Sequence, residues 1–395
     1  MSARQRFSTR TGWETAETEL SRALRERREA GLPISDLTAS NPTRCGFAYD
    51  TEAILSPLVT GGTLGYDPNP QGILSAREAV CGYYRDHGAI VDPAQLFLTT
   101  STSEAYSFLF RLLCDAGDEV LIAQPSYPLF DFLAVLDDVK LAPYSLFYDH
   151  GWHLDLEAVR QRITSRTRAI ALVHPNNPTG HFTKLSERRH LEELCREHGL
   201  ALIVDEVFLD YPLMESERSF ARGPHPVLTF VLSGMSKIAG LPQMKAAWIA
   251  ALGPDSELRE ASARLELIAD TFLSMNAPVQ SALPYWLQHR GSIQQQIQKR
   301  VAGNLTLLDE LLSGQSMVTR LVTEAGWYAV LRVPAVQSDE ELAIELIRKH
   351  GVSVQPGYFF GFSGEVWLVV SLLPPEQEFQ DGMEAILRVS NGVEI

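Results

Sequence analysis

The sequence predicts an α/β protein: a mostly parallel central sheet with helices on both faces, followed by a smaller α+β domain. Three observations predict it. Short apolar runs alternate with helical patterns between Leu96 and Ala250, the βαβ rhythm of a parallel sheet. One run, Arg168–Val173, is apolar almost without interruption, as a strand buried on both faces is. A length of 395 residues gives one large core and a second, smaller one.

The elements follow in order. Glu19–Ala30 reads as a helix that packs beside the C-terminal part of the chain. Leu96–Thr99 is a strand leading into a helix over Glu104–Cys114, and Glu119–Ala123 is a strand closed by the turn Pro125-Ser-Tyr-Pro128. After Arg168–Val173, the segment Ser186–His198 carries Leu191, Leu194 and Cys195 at helical spacing. Ala201–Val204, Val227–Leu232 and Ala247–Ala250 are further strands. Ala277–Leu312 is helical in composition, with Pro284 and Gly291 as points of kink or break. Strands at Trp327–Leu331 and Val366–Ser371 and helical patterns at Asp339–His350 and Glu376–Val389 complete the chain. The expected division is an N-terminal segment 1–50 that packs with the small domain, a large domain 51–290 and a small C-terminal domain 291–395.

Composition narrows the function. An apolar fraction of 45% and a charged fraction of 21% suit a soluble globular protein. A net charge of −15 argues against nucleic acid or an anionic membrane as a partner. The four cysteines, Cys45, Cys81, Cys114 and Cys195, lack a CxxC or zinc-like spacing. Cys114 and Cys195 read as buried, reduced thiols, which suits a reducing compartment. The start, Met1–Phe7, is basic without the apolar core of a secretory signal, and no run approaches the ~20 apolar residues of a membrane helix. A cytoplasmic location is expected.

Candidate functional residues stand at strand ends. Asp205 ends the run Leu202-Ile-Val204, where α/β sheets bind ligands; alone, it is equally a helix cap or half of an ion pair. Asn177 lies in Asn176-Asn-Pro-Thr-Gly180, a turn by composition, 28 residues before Asp205 (205 − 177), room for one helix and one strand. Lys237 closes the run Val231-Leu-Ser-Gly-Met-Ser236. Ser101, Thr102 and Ser103 stand where a strand turns into a helix, which makes either a phosphate cradle or an ordinary N-cap. Tyr127 is placed to stack on a ring or to pack in a core, and Lys245 to meet a phosphate or solvent. A lysine amine, a carboxylate and a side-chain amide at successive strand ends are what a pyridoxal phosphate enzyme needs. The amine forms a Schiff base with the aldehyde, the carboxylate keeps the pyridine nitrogen protonated, and the amide donates to the phenolate oxygen.

With these segments in order, the chain resembles class I/II aminotransferases of the pyridoxal-phosphate-dependent fold type I. The likeness runs from about Asp36 to about Leu387 through Tyr66…Gln71-Gly72, Thr100-Ser-Thr-Ser-Glu-Ala105, Gly117-Asp-Glu-Val120, Pro125-Ser-Tyr-Pro128, Asn176-Asn-Pro-Thr-Gly180, Asp205-Glu-Val207 and Ser236-Lys237. The resemblance implies that Lys237 is the Schiff-base lysine and proton carrier and that Asp205 pairs with the pyridine nitrogen. It implies that Asn177 donates to the phenolate oxygen and that Tyr127 stacks on the ring. Ser101, Thr102, Ser103, Ser236 and Lys245 would hold the phosphate. Tyr66 would reach the phosphate of a neighbouring subunit, which implies a homodimer. The implied reaction moves an amino group between an amine or amino-acid donor and a keto acceptor. Alternatives on the same scaffold are a β-lyase, a decarboxylase or a racemase. A non-catalytic cofactor-binding regulator would carry a helix-turn-helix domain, for which the segment before Asp36 is too short.

Three positions depart from the family pattern. Phe208 stands where a tyrosine is usual, so the phenolate oxygen loses a donor and the Schiff base should hold its proton past neutral pH. Lys245 stands where arginine is usual and keeps the charge without the bidentate fork. Val369 falls at the family's carboxylate-binding arginine, and Gly351–Leu387 contains no Arg or Lys. Arg44 is the expected substitute for substrate binding, with Arg332 behind it.

Overall fold

The structure is a computed structural model and describes residues 6–59, 63–215, 217–273, 275–314 and 317–392. Its centre is an eight-stranded sheet in the order Leu96–Thr99, Ala247–Leu252, Thr229–Gly234, Ala201–Asp205, Thr167–Val173, Glu119–Gln124, Lys140–Tyr148, Trp152–Leu154. The middle strands pair parallel; Ala247–Leu252 runs antiparallel to both its neighbours, and Trp152–Leu154 antiparallel to Lys140–Tyr148.

Alternation along these strands builds two cores. Leu121, Ile170, Leu172, Leu202, Val204 and Val231 face one side, where helices Leu74–Asp86, Leu185–His198 and Ala277–His289 contribute Val80, Leu191 and Leu283. Val120, Ala169, Ala171, Ile203, Phe230 and Leu232 face the other, against Leu109 of helix Thr102–Leu113 and Leu265 of helix Asp255–Phe272. A strand buried on both faces has no polar positions to interleave, which is why these runs read as continuously apolar.

A four-stranded antiparallel sheet, ordered Thr319–Arg320, Tyr328–Val333, Val366–Ser371, Gln355–Pro356, forms the smaller layer. Helices Gly291–Leu312 and Glu376–Ser390 cover it. The N-terminal segment is tied to this layer. Ser35–Asp36 pairs parallel with Val352–Ser353, and Ser371 N donates to Leu37 O at 2.7 Å.

Several expectations shift. The helix after Leu96–Thr99 begins at Thr102, not Glu104, because Ser101 caps it by accepting from Glu104 N at 3.1 Å. The segment Ala277–Leu312 is two helices parted at Arg290, with Pro284 inside the first. The helical stretch Asp339–Glu345 widens after Glu345 and continues to His350 as a π turn. Cys114 is half-buried rather than buried, although all four cysteines are free. The strand Lys140–Tyr148 was not anticipated. It contains Pro143, and proline is confined to strand edges; here the outer neighbour pairs only with Leu146–Tyr148, leaving the outer side of Pro143 open.

Candidate active site

The topology sets one edge of the large sheet as the site. The parallel strands ending at Gln124, Val173, Asp205 and Gly234 all finish there. Leu96–Thr99 is antiparallel to a strand that is itself antiparallel to Thr229–Gly234, so Thr99 ends at the same edge and Ala247 begins there. Segments far apart in sequence thus deliver Ser101, Tyr127, Asn177, Asp205, Lys237 and Lys245 to one cavity of about 440 Å³. Thr102, Ser103, Phe208 and Ser236 line it too.

Lys237 sits in the short helical turn Met235–Ile238 directly after the strand. Its Nζ lies 5.0 Å from the ring centroid of Trp327 and 5.6 Å from that of Phe208. These π faces attract the cation but do not accept its protons as a carboxylate would. Burial therefore lowers the amine's pKa to about 8, against the pull of Asp205. Asp205 is deeply buried, and that desolvation raises its pKa to about 7, opposed by the Val207 N–H bonded to Oδ1 at 3.1 Å and by the Lys237 charge. The Tyr106 hydroxyl faces this carboxylate without completing a well-formed hydrogen bond.

The Asn177 turn is held from within: Asn176 Oδ1 accepts from Thr179 Oγ1 at 2.8 Å, and Gly180 N donates to Asn176 O at 2.8 Å. Gly180 adopts φ +72°, and a Cβ there would run into the backbone oxygen of Ala325. Asn177 itself is buried with Oδ1 unpaired. At the opposite end, the first turn of helix Thr102–Leu113 presents its N–H groups beside Ser236 and the exposed Lys245, whose backbone is left-handed at φ +52°.

The sequence matches the family described as aminotransferase class I and II over residues 50–386. The chain belongs to that family. Among curated relatives, alanine aminotransferase of Mycobacterium tuberculosis is 28% identical over 90% of this chain and 85% of its own. Glutamate-pyruvate aminotransferase AlaA of Haemophilus influenzae is 24% identical over 91% of each. Among solved structures, an alanine aminotransferase of Pyrococcus furiosus superposes with a TM-score of 0.90 at 22% identity, covering 98% of this chain and 100% of its own. An aspartate aminotransferase mutant of Thermus thermophilus superposes at 0.86 with 23% identity and the same coverage. The fold is therefore that of the fold type I aminotransferases.

The family's cofactor is pyridoxal 5′-phosphate, and the residues of this aminotransferase fit it. An amine over two aromatic faces, a buried carboxylate at a strand end and a buried side-chain amide, whose Nδ2 can donate to a ring oxygen, share one cavity with a helix N-terminus and a lysine.

Three expected residues lie elsewhere. Tyr66 is 74% exposed and does not line the cavity. Arg44 is exposed and lines a smaller neighbouring cavity with Asn41, Pro375 and Glu378; Ser40 alone borders both. Arg44, at the end of the Pro42–Arg44 turn, is thus not among the residues that share the cavity with Lys237. Arg332 pairs with Glu365 at 3.8 Å at the far end of its strand. Sequence reasoning missed Tyr106, Trp327, Tyr328 and Gln355. Trp327 and Tyr328 lay in a run read only as a strand, and nothing local marks Gln355.

Proposed function

We propose that Lys237 would hold pyridoxal phosphate through its amine and that its Nζ would carry a proton to and from the substrate carbon. When bound, pyridoxal phosphate supplies an aldehyde and an electron-accepting ring. Burial lowers the Lys237 amine to about 8, so a larger share of it is neutral at physiological pH than of a free lysine, as a base and nucleophile requires. Asp205 holds its charge against burial once a ring N–H⁺ faces it. Asn177 orients the ring oxygen, and Tyr127 covers one ring face. Ser101, Thr102, Ser103, Ser236 and Lys245 take the phosphate. Phe208 fills the ring's flank and donates nothing.

The observation that carries this reading is the convergence of Lys237, Asp205 and Asn177 on one cavity. Tyr66, exposed in the single chain, fits contact with a second copy, and a cytoplasmic homodimer is the expected form. The names of the relatives point to amino-acid donors and keto-acid acceptors. Val369, fully buried and apolar, favours a second reading in which the same residues serve a β-lyase, decarboxylase or racemase. Mixing the protein, loaded with cofactor, with a panel of amines and amino acids separates these. Transamination converts the cofactor band to that of the pyridoxamine form. Release of pyruvate or ammonia without that conversion identifies a lyase.

A further inference from the structure

The small sheet forms one wall of the Lys237 cavity. In its antiparallel register Gln355 lies opposite Val369, Val369 opposite Val330, and Tyr328 opposite Ser371. Registered partners, and residues two apart on a strand, share a face. Tyr328 and Gln355 both line the cavity, so this is the face turned to Lys237. Val330 and Val369 are buried on it, which leaves Gln355 as its side-chain amide toward the cavity. Gln355 is partly buried at the cavity wall, and its Oε1, shielded in this rotamer, has no hydrogen-bond partner; a turn of the side chain brings it to a ligand. An orphaned polar atom costs about 1–3 kcal/mol, a cost removed by a ligand that supplies the missing donor. Among the described residues, the cations lining the cavity are Lys237 and Lys245, with no arginine.

We propose that Gln355 reads the substituent beside the reacting amine, and that this substituent is neutral and both donates and accepts hydrogen bonds, as a carboxamide or hydroxyl does. The proposal rests on the transaminase reading above. Whichever way the amide is turned, it presents one donor end and one acceptor end. A carboxylate brings acceptors only. It takes the N–H of Gln355, leaves Oε1 unpaired, and meets no guanidinium among the described residues that line the cavity, while Lys245 would be engaged by the phosphate and Lys237 by proton transfer. Burying that charge without a partner is costly; a carboxamide satisfies both ends of Gln355 and carries no charge.

The test uses the holoenzyme and two readouts. The first is equilibrium binding of propanamide and propanoate, unreactive for want of an amine, followed through the cofactor absorbance. Propanamide should bind about tenfold or more tighter. Gln355→Leu should erase the preference, and Gln355→Arg should reverse it, with the cofactor retained in both. The second is the half-reaction with alaninamide and alanine, where kcat/KM should rank the same way. If propanoate binds as well as propanamide, or if Gln355→Leu leaves the ratio unmoved, the proposal is overturned. If neither amine converts the cofactor while the binding ranks as stated, the transaminase reading fails and the role of Gln355 stands.

Discussion

Asp205 and Lys237 define the chemistry at the scale of single residues. Their pKa values are pushed toward each other, to about 7 and about 8, by the same burial. For Asp205 the sign has a measurable consequence. A carboxyl whose folded pKa exceeds its unfolded value near 3.9 binds more protons when folded, so stability of the cofactor-free protein falls as pH rises from about 4 through 7. Asp205→Asn removes that penalty. The melting temperature of the cofactor-free variant should exceed that of the parent by more at pH 8 than at pH 5, within a ceiling of roughly 4 kcal/mol. A gap independent of pH would mean that this carboxyl is not strained by burial. With cofactor bound, the order should invert, because the variant loses the partner of the ring nitrogen.

The strand-end turns matter at the scale of elements. Gly180 lets the Asn177 turn press against Ala325, and the contact is reinforced where Glu324 accepts from Phe182 N at 2.8 Å and from Lys184 Nζ at 2.6 Å. This clamp lies just before Trp327, whose ring is 5.0 Å from Lys237 Nζ, and Tyr328, which lines the cavity. Gly180→Ala meets both a left-handed backbone and the Ala325 oxygen, so it should cost about 1–3 kcal/mol in denaturant unfolding and weaken cofactor binding with it. Full stability in that variant would show that the two segments part freely. This is also the scale at which the sequence was most and least legible. Asp205, Asn177 and Lys237 announced themselves because each follows an apolar run that marks its own strand. The mostly parallel sheet followed from those runs. Gln355 and Tyr328 did not, since they reach the cavity through a second sheet whose docking is a long-range packing event. Arg44 lines the neighbouring cavity although Ser40, four residues earlier (44 − 40), borders both, so nearness in sequence did not fix its place. Pro143 hid a nine-residue strand by breaking the expected composition.

Surface and assembly come into view for the molecule as a whole. No helix among the described residues is long and apolar enough to cross a membrane. Val59, Leu64 and Tyr66 are exposed at 86%, 96% and 74%, a stretch that a second copy would cover. Sedimentation should therefore give a dimer. Tyr66→Phe should leave that dimer intact while weakening cofactor affinity by about tenfold, the worth of one hydrogen bond to a charged group. A monomer that binds cofactor with undiminished affinity would remove Tyr66 from the site.

The most direct test is covalent. Borohydride reduction of the protein incubated with pyridoxal phosphate, followed by peptide mass analysis, should place the pyridoxyl group on the peptide containing Lys237, and Lys237→Ala should abolish the label. Label on another lysine, or none on a folded protein, would contradict the account at its centre.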